Sequence, residues 1–207
     1  DGTLPFLLKI LAAAEPLTLQ AHPTLAQAKA GYAAENELGI APTAPHRNYR
    51  DANHKPELIV ALARCEALAG FRPVERTREL FDELAIPELG PYTVLLNAPS
   101  AEEGLRALFT TWLTLPSRVL ADLVEAVRAA CAAYEGDGWV GQVAATTADI
   151  AARYPGDPGV LASMLLNRIT LEPGEGIYLG AVQLHAYLSG MGVEIMANSD
   201  NVLRGGL

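Results

Sequence analysis

Apolar residues recur at every second position early in the chain, at every third or fourth through its middle, and at every second again near its end. This pattern divides the sequence into three stretches. From Leu4 to Phe71 it is mostly strand-like, with one helical interruption. Leu4 to Leu11 is a near-continuous apolar run broken by Lys9. After Pro16 the residues Leu17 to His22 alternate strictly, so Thr18, Gln20 and His22 share one face of an extended chain while Leu17, Leu19 and Ala21 take the other. Thr24 followed by Gln27 forms a capping-box pattern and predicts a helix to about Glu37, and Gly39, Pro42 and Pro45 then mark a polar loop. Extended structure is expected again from about Lys55.

Between Arg72 and Gly159 the period is helical. Ser100 with Glu103 opens one helix, behind which Leu105, Leu108, Phe109 and Trp112 share a face. Ser117 opens another, with a stripe of Leu120, Leu123, Val124, Val127, Cys131 and Tyr134 ending at Gly136. Weaker helical patterns cover residues 74–84 and 140–154. A Pro158-led helix is expected to run to about Asn167. Short strands follow: residues 172–175 make a turn between two of them, and Gly190-Met191-Gly192 separates residues 184–188 from 193–198. The predicted class is α+β, a jelly roll or related barrel with an inserted helical subdomain. Its parts are residues 1–71 and 160–207 for the β structure and 72–159 for the insertion.

With 207 residues, half of them hydrophobic, the chain buries a real core, which excludes disordered and fibrous classes. Fifteen Lys and Arg against 24 Asp and Glu give a net charge of −9, and no basic patch offsets it, so neither nucleic acid nor an anionic membrane is an expected partner. Cys65 and Cys131 are far apart in apolar segments and read as buried thiols of a reducing compartment. The chain begins at Asp1 and stops directly after a dense polar motif, so it is expected to be a piece of a longer protein.

Three pairs of polar residues two apart stand on probable strands: Gln20 with His22, Lys55 with Glu57, and His185 with Tyr187. Brought together, the imidazoles of His22 and His185, the Glu57 carboxylate and the Gln20 amide oxygen would suit a borderline dication such as zinc, with water completing the shell. No contiguous metal motif specifies this set, and a lone histidine in an apolar strand is more often a hydrogen-bonded core or rim residue than a ligand. His46 reads as solvated. His54 is either an ordinary loop residue or, beside Lys55 and Glu57, part of the chemistry. Residues 194–204 are dense in polar groups, which for Asn198 and Ser199 reads as turn formation. Arg204, followed by two glycines, instead offers a fork of donors beside an accommodating backbone, as an anionic group requires.

Residues 16–23 (PLTLQAHP), 53–57 (NHKPE), 171–175 (LEPGE) with 184–187 (LHAY), and 192–206 resemble, in order, the signature segments of the type I mannose-6-phosphate isomerase family. The resemblance spans nearly the whole chain. It implies a cupin-type β structure with a helical insertion, a missing leading β segment and a missing trailing cupin-like domain. It also implies one zinc ion per chain, held by Gln20, His22, Glu57 and His185. The implied activity is aldose-ketose isomerisation between mannose 6-phosphate and fructose 6-phosphate through an enediol, in a cytoplasmic enzyme, expected to be a monomer, on the route to GDP-mannose. Arg204 is the leading catalytic candidate, with His54, Lys55, Glu194 and Asp200 as candidates for the proton shuttle. Thr18, Tyr187 and Arg204 are candidates for substrate contact. The approach to His185, residues 179–184 (LGAVQL), departs from the family, which usually has a proline and a glycine there. The alternatives are a non-catalytic metal- or sugar-binding cupin and an isomerase of another phosphorylated sugar.

Overall fold

A computed structural model describes Gly2 and residues 4–207. The chain forms two compact units. The first takes the chain up to Gly70 and returns for Arg168–Arg204; the second holds Phe71–Asn167 with Gly205–Leu207. The helical unit thus runs past the Gly159 boundary suggested by periodicity, because helical packing continues through Pro158–Ser163.

The strands are β1 (Phe6–Ala13), β2 (Leu19–Ala21), β3 (Glu57–Ala61), β4 (Cys65–Phe71), β5 (Leu166–Leu171), β6 (Gly176–Leu179), β7 (His185–Ala197) and β8 (Leu203–Gly206). β7 organises the sheet. Its first half pairs antiparallel with β2 and β4, setting Gln20 opposite His185 and Ala69 opposite His185 on the other side. Its second half pairs with β1, Lys9 opposite Glu194, and with β3, Glu57 opposite Met196. β5 lies beyond β4, and β8 beyond β2.

The turn expected at Gly190-Met191-Gly192 is absent, and β7 runs through it unbroken. The glycines instead permit close approach. A Cβ at Gly190, whose φ is +112°, would meet Arg64 O at 2.5 Å and Cys65 Cα at 2.6 Å; one at Gly192 would meet Ile59 Cγ1 at 2.7 Å. The strand therefore passes from one set of partners to the other at a position that excludes a side chain.

Alternate residues of β3, β4 and β7 turn inward. Ala13, Ile59, Ala61, Cys65, Ala67, Ala69, Leu171, Leu179 and Tyr187 form the core of this unit. Each large apolar side chain buried there, such as Ile59, contributes about 1.5–3 kcal/mol. The first helix, α1 (Leu25–Glu37), buries only Ala28 and is held by its cap: Thr24 Oγ1 accepts from Gln27 N at 3.2 Å, and Gln27 Oε1 accepts from Thr24 N at 2.9 Å. The buried Arg47 guanidinium then ties the following loop down, donating to Asn36 Oδ1, Ile40 O and Tyr49 O.

In the second unit α2 (Val74–Leu84), α3 (Gly90–Thr93), α4 (Ala101–Leu113), α5 (Ser117–Ala133), α6 (Gly138–Arg153) and α7 (Pro158–Ser163) surround Leu108, Trp112, Leu123, Val127, Ile150 and Leu161, each at most 4% exposed. Ser100 caps α4 as expected, accepting from Glu103 N at 3.1 Å. α5 ends one residue before Tyr134, whose backbone is extended. α7 ends at Ser163, short of the expected Asn167, because Leu166 already belongs to β5. No helix among the described residues is long and apolar enough to cross a membrane.

Candidate metal centre

Gln20 and His185 meet because β2 and β7 pair there, and the side chains of directly opposed residues stand on the same face. His22 follows two residues after Gln20. Glu57 begins β3, with its side chain turned inward. His22, Glu57 and His185 are all at most 2% exposed, and one ligand atom from each lies within 4.8 Å of the others. His22 Nε2 is 3.2 Å from Glu57 Oε1, and His185 Nε2 is 3.3 Å from Glu57 Oε2. The Gln20 amide nitrogen stands 3.3 Å from His185 Nε2. Exchanging the amide's nitrogen and oxygen, which are alike in shape, would place an acceptor there instead.

The other nitrogen of each ring decides what this cluster offers. His22 Nδ1 donates to Asn201 O at 2.8 Å, and His185 Nδ1 to Gln183 O at 3.0 Å. In the neutral rings both Nε2 atoms therefore present lone pairs, and both face a carboxylate. His22 Nε2 and Glu57 Oε2 are buried without a hydrogen-bond partner. Three electron-rich atoms converging in a dry space repel one another unless a cation lies between them, so this donor set fits a bound dication. Two neutral imidazoles, a carboxylate and an amide match the mixed nitrogen and oxygen preference of zinc. Lys55 Nζ is 3.2 Å from Glu57 Oε1.

The remaining candidates are spread around this centre. Thr18 is half-buried just ahead of β2, and His54 is exposed beside Lys55. Tyr187 is buried beside His185, ring centroids 6.1 Å apart. Desolvation first, and then the Glu194 and Glu57 carboxylates, push its hydroxyl's pKa up. Glu194 is buried and pairs with Lys9 Nζ at 2.7 Å. The sequence signal for this pair is Lys9 itself, a lone charge inside the apolar run of β1. Asp200 and Arg204 line a cleft of about 200 Å³ with His46, Arg47, Asn48 and Arg50. His46, read as solvated, is exposed at the wall of that cleft.

The loop that departs from the family touches both histidines, His22 at its backbone carbonyl and His185 at its ring. Val182 N donates to His22 O at 2.7 Å, and Gln183 O receives the His185 proton. Val182 has φ +58°, an unusual conformation for a β-branched residue. The expected proline and glycine are thus replaced by a strained backbone that still positions the ligand.

The model of the type I phosphomannose isomerase catalytic domain matches residues 1–74. Mannose-6-phosphate isomerase of Salmonella typhimurium is 40% identical over 209 residues, covering 100% of this chain and 51% of the relative. The Homo sapiens protein of the same name is 34% identical, over 100% of the chain and 49% of the relative. A crystal structure of zinc-bound mannose 6-phosphate isomerase superposes over 100% of the chain and 51% of its own, at TM-score 0.86 and 40% identity. The chain belongs to the type I phosphomannose isomerase family. It shares the cupin-type fold expected from the sequence and spans about half the length of the relatives it matches. A further family structure, from Salmonella typhimurium and bound to fructose 6-phosphate and zinc, matches at TM-score 0.84 and 38% identity, over 100% of this chain and 51% of its own.

Proposed function

We propose that the protein containing this chain is a zinc-dependent aldose-ketose isomerase that interconverts mannose 6-phosphate and fructose 6-phosphate. The observation that carries this reading is the buried convergence of His22, His185 and Glu57, with Gln20 beside them, in a family whose solved members hold zinc and fructose 6-phosphate. Gln20, His22, Glu57 and His185 would hold the ion. When bound, zinc supplies Lewis acidity toward the carbonyl and hydroxyl oxygens of the open-chain sugar.

Isomerisation removes a proton from the carbon beside a carbonyl and returns one to its neighbour, through an enediol. Lys55 supplies positive charge next to Glu57, in the buried region where negative charge on oxygen develops. His54 adjoins it and is open to solvent, so it can exchange a proton with water. Glu194 and Asp200 are the other shuttle candidates. Thr18 and the Tyr187 hydroxyl are candidates for holding sugar hydroxyls. Arg204, in a cleft with Arg50, offers a bidentate fork for the phosphate, which an acidic protein must bind through local positive charge. The same reading makes it a cytoplasmic monomer upstream of GDP-mannose; the free, buried thiols of Cys65 and Cys131 accord with a reducing compartment.

A coupled assay on the full-length protein tests this. Zinc-loaded enzyme is expected to convert mannose 6-phosphate, and Arg204→Ala to lower kcat/KM by about 100-fold with zinc content unchanged. Zinc uptake without turnover of any sugar phosphate would establish the non-catalytic cupin instead, and turnover of a different aldose phosphate would reassign the substrate.

A further inference from the structure

The polar run after β7 contains one residue that neither the ligand set nor the cleft uses. Asn201 is 0% exposed, yet every polar atom it has is engaged. Its carbonyl accepts the His22 Nδ1 proton at 2.8 Å. Its side-chain Oδ1 accepts from Arg50 N at 2.7 Å and from Asp51 N at 3.3 Å. Its Nδ2 donates to Asp51 O and Asn53 O, both at 2.9 Å, and to Asp51 Oδ1 at 3.3 Å. Ser199 Oγ and Asp200 N close the same knot on the Asp51 carboxylate, at 2.9 and 2.8 Å.

We propose that Asn201 is a positioning residue: it fixes the His22 ring with Nε2 toward the metal and fastens to that ring the loop carrying His54 and Lys55. This rests on the zinc reading above and deepens it. Only a carboxamide has both the acceptor that two amide N–H groups require and the donors that two backbone carbonyls require. Aspartate would set a second carboxylate against Asp51 and those carbonyls, and alanine would leave buried groups on the loop unpaired. The His22 tautomer depends on the Asn201 carbonyl, whose position depends on that side chain. Loss of the side chain should therefore be read at the metal. Groups that orient a ligating histidine through its second nitrogen typically account for about 10- to 100-fold in metal affinity.

The test uses the full-length protein, with zinc affinity measured by chelator competition and with the visible absorption of the cobalt(II)-substituted protein as a report of ligand geometry. His22→Ala and Cys131→Ala serve as controls, the first removing a ligand and the second destabilising the helical unit, which holds none of the four proposed ligands. Asn201→Ala and Asn201→Asp are expected to bind zinc about 10- to 100-fold more weakly and to change the cobalt spectrum, while Cys131→Ala leaves both as in the wild type. Should the Asn201 variants fail to fold, Asp51→Asn breaks the other end of the same knot and is expected to weaken zinc and alter the spectrum in the same direction. Wild-type affinity and spectrum in the folded variants, with zinc lost from His22→Ala, would overturn the Asn201 inference and leave the zinc reading standing. A wild-type protein that takes up no zinc would defeat both.

Discussion

An imidazole that gives its only proton to a backbone carbonyl has nothing but a lone pair for whatever it faces. Two such rings turned on one carboxylate are the chemical content of this fold. Period-two alternation made Gln20 and His22 legible in sequence, and the Lys55 and Glu57 pair stood out by the same rule. Asn201 did not stand out, because its role lies in contacts with residues some 150 positions away that no local pattern encodes. Burial sets a second residue-scale property. Cys131 is 3% exposed, and desolvation pushes its thiol from an ordinary 9.0 up to about 11. The unfolded chain loses this proton first as pH rises, so stability is complete below pH 9 and falls between about 9 and 11. The loss is expected to be about 2–3 kcal/mol, from roughly 1.4 kcal/mol per pH unit. Urea unfolding at pH 8 and 10.5 checks it: Cys131→Ala should show a shallower decline, and equal slopes for the two proteins would contradict the assignment.

At the scale of elements, one strand decides the architecture. β7 serves two sets of partners, and Gly190 sits where it changes from one to the other. Gly190→Ala is expected to destabilise the protein by about 2–4 kcal/mol, because the new Cβ meets backbone and the residue has a positive φ. Chemical denaturation measures this directly, and a change under about 0.5 kcal/mol would show that the crossing relaxes at little cost. In the sequence alone the same glycines read as a turn. Glycine marks turns and close backbone approach alike, and only the partner strands, remote in sequence, distinguish them. The helices were easier to read, since Ser100 and the Leu108 and Trp112 face are local signals; their ends were less so, as at Tyr134 and Ser163.

Across the whole molecule, Gln20 and His185 are 165 residues apart in sequence, and most of the residues between them build the helical unit. An ion that binds only the assembled centre stabilises the folded state by mass action. Free zinc at about 100 times its Kd is expected to add about 2.7 kcal/mol. Stripping the metal with a chelator should lower the Tm of the β unit's transition by several degrees, followed by calorimetry with and without added zinc. An unchanged melting profile would mean that the cluster holds no ion in solution.

That separation also sets an order of events during synthesis. A nascent chain that has emerged from the ribosome through Glu57 has three of the four donors but nothing to complete the cage. The fourth arrives only after the whole helical segment has been made and its ends brought together. Completion of the proposed cage is thereby deferred until β7 has been made, so a truncated product ending before that strand lacks His185 and with it the assembled centre.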